Sequence, residues 1–534
     1  MRKLFNGLIA VFCGVLMMVS CSKGPNVSAY IPEDAIAVIN FDLGSLMQKV
    51  DIKNIDDISF IKLARQELRS ENPEMAALVD GIIKDPTSAG LNLKKDLTMA
   101  YSPNGSGVVA IAAMHKVSKF QEFLKDFSKG NCTEIQTEGK DYSMALVDNV
   151  YVAYNKKIAV MCGNQKDVER IMDLKKDESL ANNKFFGEYW AKRSEISLWM
   201  NYESIFNMAE QFGGEDVLKG TGLPLEFIED FRKASMYMNA VFDKGVFRFV
   251  AEVQNIDSKK WAKMYGGKFN SDLLKYIPEN SYALMSIAMN GEKMAEMYAN
   301  MNNEFVDFNE PVVGDKSLVD IFKMVGGSCV VSLYDFATNE KGSVIPLIAL
   351  AGDLNDADAW RKMLEDAGVE QRDGYFAIPD IGLGFGMYFA VKEKIVFSTN
   401  SEEAVQKFLA GDFGKGLKSD LASKAKKGNY YYMNLDLAAY PDAVRNLIPQ
   451  NIASLLTQYL DYSELYMNSV SSGEWDIYIK DKKENSLLST LHFVDNNLVE
   501  LGKLTDSFGG SDCPEVTEEF YVDDEDLPEE FWDE

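Results

Sequence analysis

Tyr30-Ile31-Pro32-Glu33 leads into an apolar run over residues 35–42, and Tyr276-Ile277-Pro278-Glu279 leads into a second such run near the middle of the chain. Working outward from these two stretches, the sequence repeats itself in order. Phe120, Phe123, Leu124 and Phe127 are spaced i, i+3, i+4, i+7, one face of a helix, and Trp360, Met363, Leu364 and Ala367 repeat that face. Residues 158–171 and 395–408 each read as strand, polar turn and helix, with Val168 or Val405 turned inward. Met200-Asn201 is answered by Met433-Asn434, Tyr237-Met238-Asn239 by Tyr466-Met467-Asn468, and Gly266-Gly267 by Gly509-Gly510. The repeated positions are core faces and strand ends. The sequence therefore predicts two tandem halves of one fold, residues 30–267 and 276–510.

Within a half the pattern is α+β. Apolar segments at 35–42, 98–102, 108–114, 142–147, 150–154, 157–162, 196–201, 236–242 and 246–253 read as strands. Asn104-Gly105 is a hairpin signal, and a helix over 118–127 ends near Gly130. Strands joined by tight turns are antiparallel. Each half is thus predicted to be a large, mainly antiparallel sheet with helices packed on one face.

The first residues carry an address. Arg2 and Lys3 precede an apolar run over 8–19, and Met18-Val19-Ser20 stand before Cys21. A bilayer span needs roughly twenty apolar residues, and this run is shorter. Residues 1–20 are predicted to be a lipoprotein signal peptide, Cys21 the lipidated residue and 21–29 a tether. Two or three acyl chains at about 0.8 kcal/mol per buried CH2 make such attachment stable.

The chain of 534 residues has 82 acidic and 55 basic side chains, a formal charge of −27. That excludes nucleic acid and anionic headgroups as partners, since both call for a basic surface. The expected partners are the membrane, through the acyl chains on Cys21, and an envelope protein or glycan. Residues 511–534 are predicted to be a disordered acidic tail: 515–534 hold eleven Asp or Glu and no Lys or Arg. Phe520, Tyr521, Phe531 and Trp532 would give that tail apolar anchors for a basic partner. Cys132, Cys162, Cys329 and Cys513 read first as scattered thiols, with a Cys132–Cys162 bond as the alternative.

Catalytic signatures are missing. HExxH, GxSxG and GxxxxGK[ST] do not occur, and His115 and His492 stand apart from each other and from any cysteine. Gly382, Gly384 and Gly386 precede a strand, which favours close packing over a nucleotide loop. No metal, cofactor or catalytic residue is predicted. Two patterns remain as binding candidates. Asn-x-Asp/Glu recurs at strand exits, as Asn40-Phe41-Asp42, Asn201-Tyr202-Glu203 and Asn434-Leu435-Asp436. It suits a cation or a sugar hydroxyl, but capping of the following helix is the stronger reading. In Tyr430-Tyr431-Tyr432 at least one ring must turn away from the core, as suits sugar stacking or a protein contact.

The lipobox at Cys21, the YIPE opening of each half and the paired strand–helix blocks resemble a family of uncharacterised envelope lipoproteins of the Bacteroides group, which carries a domain-of-unknown-function label. The resemblance covers nearly the whole mature chain. It implies a place in the envelope and supplies no catalytic residues. Members of that group often reach the cell surface when acids closely follow the cysteine. Ser22-Lys23-Gly24-Pro25-Asn26 has none, which predicts the periplasmic side of the outer membrane. The expected function is a non-enzymatic binding or assembly lipoprotein. A carbohydrate- or lipid-binding protein and a carboxylate-dependent glycan hydrolase are the alternatives.

Overall fold

The computed structural model describes residues 27–102, 107–129, 131–213, 225–300, 307–339, 342–381, 385–413 and 416–507. Cys21, the hairpin residues Asn104-Gly105, the glycines Gly382 and Gly384, Gly509-Gly510, Cys513 and the acidic tail lie outside them.

Ten strands precede residue 255: β1 (Ala37–Asp42), β2 (Asp96–Tyr101), β3 (Val108–Ala113), β4 (Cys132–Ile135), β5 (Ser143–Val147), β6 (Val150–Tyr154), β7 (Ile158–Cys162), β8 (Ile196–Asn201), β9 (Ser235–Asp243) and β10 (Val246–Gln254). In space they run β4-β5-β6-β7-β3-β2-β1-β8-β9-β10, each neighbour antiparallel. Ten more follow in the same sheet: β11 (Ala283–Ala288), β12 (Val325–Thr338), β13 (Val344–Leu354), β14 (Glu370–Arg372), β15 (Tyr375–Ile378), β16 (Met387–Lys392), β17 (Ile395–Thr399), β18 (Tyr430–Asn434), β19 (Leu460–Ser469) and β20 (Ser472–Ile479). Their order is β14-β15-β16-β17-β13-β12-β11-β18-β19-β20, again antiparallel throughout. A short ribbon, Pro311–Val313 with Lys316–Ser317, stands apart.

The two runs meet where β10 pairs with β20, so a single sheet of twenty strands spans both halves. Register agrees with order: Ala37 faces Met200 in the first run as Ala283 faces Met433 in the second. Counting from there, the counterpart of Tyr237 is Glu464, two residues from the Tyr466 that the sequence echo selects. At the seam Arg248 faces Asp476 and Glu252 faces Ser472, symmetrically about the pair Val250–Glu474.

Strict alternation divides the strands between a near and a far face. On β1, Val38 and Asn40 are buried on the near face while Ile39 and Phe41 are only half-buried on the far one. Helices Gln165–Met172 and Lys184–Lys192 cover the near face of the first run, around Val38, Ile111, Val160 and Trp199. Glu402–Ala410 and Ser419–Ala425 do the same in the second, around Leu284, Ala351 and Phe397. The far face also carries helices, which corrects the one-sided layering expected from sequence. Leu43–Lys49, Ser59–Glu71, Pro73–Lys84 and Val117–Phe127 pack over Phe41, Leu97, Ala112 and Phe242. Leu318–Met324 and Ala357–Asp366 pack over Phe376 and Phe389.

The seam is reinforced by an exchange of helices. Ser258–Tyr265 follows β10, yet its Trp261 is buried with Met294, Tyr298 and Phe322 of the second half. Ser486–Asn496 follows β20, yet Leu487, Leu488 and Leu491 pack into the cluster of Leu43, Met47 and Phe242. Burying a side chain of this size stabilises by about 2 kcal/mol. Helix Ser59–Glu71 has no cap from its own flank; instead Asp495 accepts from the N–H groups of Ser59 and Phe60, both at 2.9 Å.

Cys132, Cys162 and Cys329 are free thiols, so the alternative Cys132–Cys162 bond is overturned. The two cysteines sit on β4 and β7, three strand spacings of about 4.8 Å apart, beyond the reach of a disulfide.

Candidate functional site

Strands β18, β19, β20 and β10 form the centre of the sheet, and their two faces differ in kind. The pleat splits the tyrosine triplet. Tyr430 and Tyr432 fall on the near face with Glu464, Tyr466, Asp476 and Arg248, while Tyr431 falls on the far face.

On the near face, Glu464 and Asp476 stand directly opposite each other, both about 1% exposed. Each is saturated with donors. The Tyr430 and Tyr466 hydroxyls both donate to the Glu464 carboxylate at 2.6 Å, and Lys424 Nζ pairs with it. Arg248 holds Asp476 with two bonds of 3.0 and 3.1 Å, and the Tyr478 hydroxyl adds a third at 3.1 Å. The bond to Asp476 raises the Arg248 pKa and keeps the guanidinium charged. Burial, followed by the charges of Asp461 and Glu464, pushes Tyr432 up to about 12, and burial with the same two acids pushes Tyr462 up to about 12. Tyr430 and Tyr466 are raised further, by burial and by donating to Glu464. The rings of Tyr462 and Tyr478 stack at 4.2 Å, with Lys482 above them at 5.6 and 5.2 Å. Across the seam a smaller copy recurs: the Tyr237 hydroxyl donates to Glu252, and Lys192 reaches both. This face locks charges in place across β10, β20, β19 and β18.

The far face of the same strands is different. It presents Leu198 and Met200 of β8, Met236, Met238 and Ala240 of β9, and Phe249 and Ala251 of β10. Next come Gly473 and Trp475 of β20, Leu465 and Met467 of β19, Tyr431 and Met433 of β18, and Ala283 and Met285 of β11. None of these is charged. Trp475 is 44% exposed and Met467 46%, large values for side chains in the middle of a sheet. Phe249 and Trp475 pair across the seam at 5.5 Å. The few polar atoms are engaged: the Trp475 indole N–H donates to Ser463 Oγ at 2.7 Å, and the Tyr431 hydroxyl donates to the Met433 sulfur at 3.2 Å. Sequence reasoning missed this face. The signal was present in the apolar–Tyr–apolar alternation of Met236-Tyr237-Met238, where tyrosine takes the buried side and methionine the open one.

The Asn-x-Asp/Glu patterns do not converge. Asn201 Oδ1 accepts from the Glu203 N–H at 3.1 Å, and Asn434 Oδ1 from the Asp436 N–H at 2.9 Å, the same turn in each half. Asp436 also accepts from the Ala438 N–H and pairs with Lys480 at 2.9 Å. Asp42 caps the following helix through Ser45 N–H at 3.0 Å, and Asn40 bridges Asp96 and Thr98 at 2.9 Å each. β8 and β18 are antiparallel and separated by four strands, so the two later pairs lie at opposite rims. His492 pairs with Glu484 at 2.9 Å. A surface cavity of about 510 Å³ is lined by Glu33, Asp34, Arg170, Asp173, Leu174 and Glu178, but Arg170 is already paired with Asp34 at 2.6 Å. Among the described residues, no group of three or more His, Cys, Asp or Glu is placed to hold a metal ion, and no helix is long and apolar enough to cross a membrane.

No curated protein matches the chain. Among solved structures it is similar to crystal form I of TP0453, at 10% identity and a TM-score of 0.24 over 43% of this chain and 79% of that one. Crystal form III of TP0453 gives 12% identity and a TM-score of 0.24 over 45% and 82%. A family profile described as "Domain of unknown function (DUF4836)" matches residues 27–487, and the chain belongs to that family.

Proposed function

We propose that this protein is a non-enzymatic binding protein of the cell envelope, tethered through acyl chains on Cys21, whose ligand-bearing surface is the centre of the sheet where two duplicated halves meet. The observation that carries the reading is the contrast across β8, β9, β10, β20, β19 and β18. Their near face has its buried acids saturated by tyrosines, Lys424 and Arg248, an arrangement that holds charge still. Their far face leaves Trp475, Met467 and Met433 exposed, and clustered exposed apolar side chains mark binding sites. The identical strand order and register of the two runs support the duplication, and the exchanged helices support a paired-half body that works as one unit.

Carbohydrate binding draws on Tyr462 and Tyr478, but those rings stack on each other under Lys482. An apolar ligand is favoured by the uncharged far face. The test is native mass spectrometry of full-length protein from its own membranes, beside a Cys21→Ala variant. Expected are a retained small molecule and, in the variant, loss of acylation. Protein that carries neither ligand nor fatty acid refutes the reading.

A further inference from the structure

We propose that the uncharged far face of β8, β9, β10, β20, β19, β18 and β11 is a binding site for the acyl chains of a lipid, laid across the strands over the Phe249–Trp475 pair. This rests on the binding reading above and names the ligand class.

Three observations select that occupant. The first is charge. The protein carries −27 overall, so a second copy or an anionic surface meets long-range repulsion, while a hydrocarbon chain meets none. The second is hydrogen bonding. The backbone of these strands is spent in the antiparallel ladders. Ser463 Oγ and the Tyr431 hydroxyl are occupied by Trp475 and by Met433. A peptide or a sugar would bring polar groups and find no partners, each costing about 1–3 kcal/mol when buried. A polymethylene chain brings none to satisfy.

The third is shape. The exposed Met285, Met433 and Met467 supply unbranched, polarizable side chains that adapt to a flexible chain. Seven strands at about 4.8 Å spacing extend about 29 Å, whereas one acyl layer of a bilayer is about 15 Å deep, so a full chain fits within the face. Helical clusters stand at its two ends: the Leu43 and Phe242 cluster beyond Phe247, and the Trp261 and Met294 cluster beyond Met289 and Val470. Chains lying between them would gain the burial that the sheet lacks.

The test uses full-length protein and phosphatidylethanolamine with brominated acyl chains, since bromine quenches an indole in contact with it. The expected result is quenching that Trp475→Phe removes. Met433→Glu combined with Met467→Glu places charge on the face and should weaken binding about tenfold or more, while Val312→Glu, on the separate ribbon, should leave it unchanged. Melting curves of each variant establish that the fold is kept. In parallel, organic extraction of native protein should yield lipid beyond the chains attached at Cys21. Equal quenching in the wild type and the double glutamate variant overturns the proposal. So does a retained glycan, or a dimer in sedimentation that the double variant dissolves; either leaves the binding role standing while removing the acyl chain from it.

Discussion

The two faces of the central strands are built from the same backbone and nearly the same residue spacing, yet they do opposite work. On the near face, Glu464 and Asp476 are buried charges that survive only because tyrosines, Lys424 and Arg248 surround them. On the far face, Trp475 and Met467 are apolar groups left 44% and 46% exposed. A charge that loses its partner is costly, whereas an exposed methionine that changes is not. The comparison therefore teaches where stability and function separate: near-face substitutions should unfold the seam, and far-face substitutions should change what binds.

The largest expected effect breaks the near face. Glu464→Ala removes the acceptor of two tyrosine hydroxyls and the partner of Lys424 in a buried setting, and should cost about 3–5 kcal/mol, read as a lowered urea midpoint. A loss below about 1 kcal/mol would show that the network is not what holds β19 against its neighbours.

Alkaline pH probes the same face without mutation. Tyr432 and Tyr462 are raised from 10.0 to about 12 in the folded protein. Below 10 the folded and unfolded chains both keep these protons. Between 10 and 12 the unfolded chain releases them first, so stability should hold up to the lower value and fall as pH rises through the upper one. Ultraviolet titration should show tyrosines that ionise late in the native state and normally in urea. A native titration that superimposes on the unfolded one would contradict the burial of this cluster.

A smaller effect tests the bond between the halves. Asp495→Ala strips the cap from helix Ser59–Glu71, at a cost of about 1 kcal/mol. Hydrogen exchange should rise at Ser59 and Phe60 while β18 stays protected. Unchanged exchange there would mean the exchanged helix Ser486–Asn496 is held by Leu487, Leu488 and Leu491 alone.

Much of the fold was legible in the sequence. Every strand expected in the first half is present within about two residues, because short apolar runs bounded by turn residues, such as Val108–Ala113, read as strands. The strands expected at Ile158 and Ile395 are both present, Ile158 facing Ala113 and Ile395 facing Asp353. The joining of the two sheets was not legible. Nothing local in Val246–Gln254 says that its second edge meets Ser472–Ile479, since either edge of an antiparallel strand looks alike from its own side chains. The site was only half legible. Tyr430-Tyr431-Tyr432 drew attention to β18, but its neighbours Glu464, Asp476 and Arg248 come from distant segments that pairing alone brings together. The far face was hidden for the opposite reason: nothing local to Met433, Met467 or Trp475 tells an exposed apolar side chain on a strand from a buried one.

The smallest expected effect is also the most discriminating. Met467→Glu replaces a side chain that is 46% exposed, and its stability should stay within about 0.5 kcal/mol of the wild type. Phe249→Ala, Trp475→Ala and their double variant should show a coupling of about 1 kcal/mol, the worth of one aromatic pair, since the two rings meet at 5.5 Å across the seam. A far face that is only loosely finished core would give larger losses at both places, because the chain would have been using that burial to fold. A face reserved for a ligand gives small losses without the ligand and large ones with it. The difference between those two melting shifts, measured for Met467→Glu with and without brominated phosphatidylethanolamine, therefore decides whether the far face is packing left unfinished or a surface kept open.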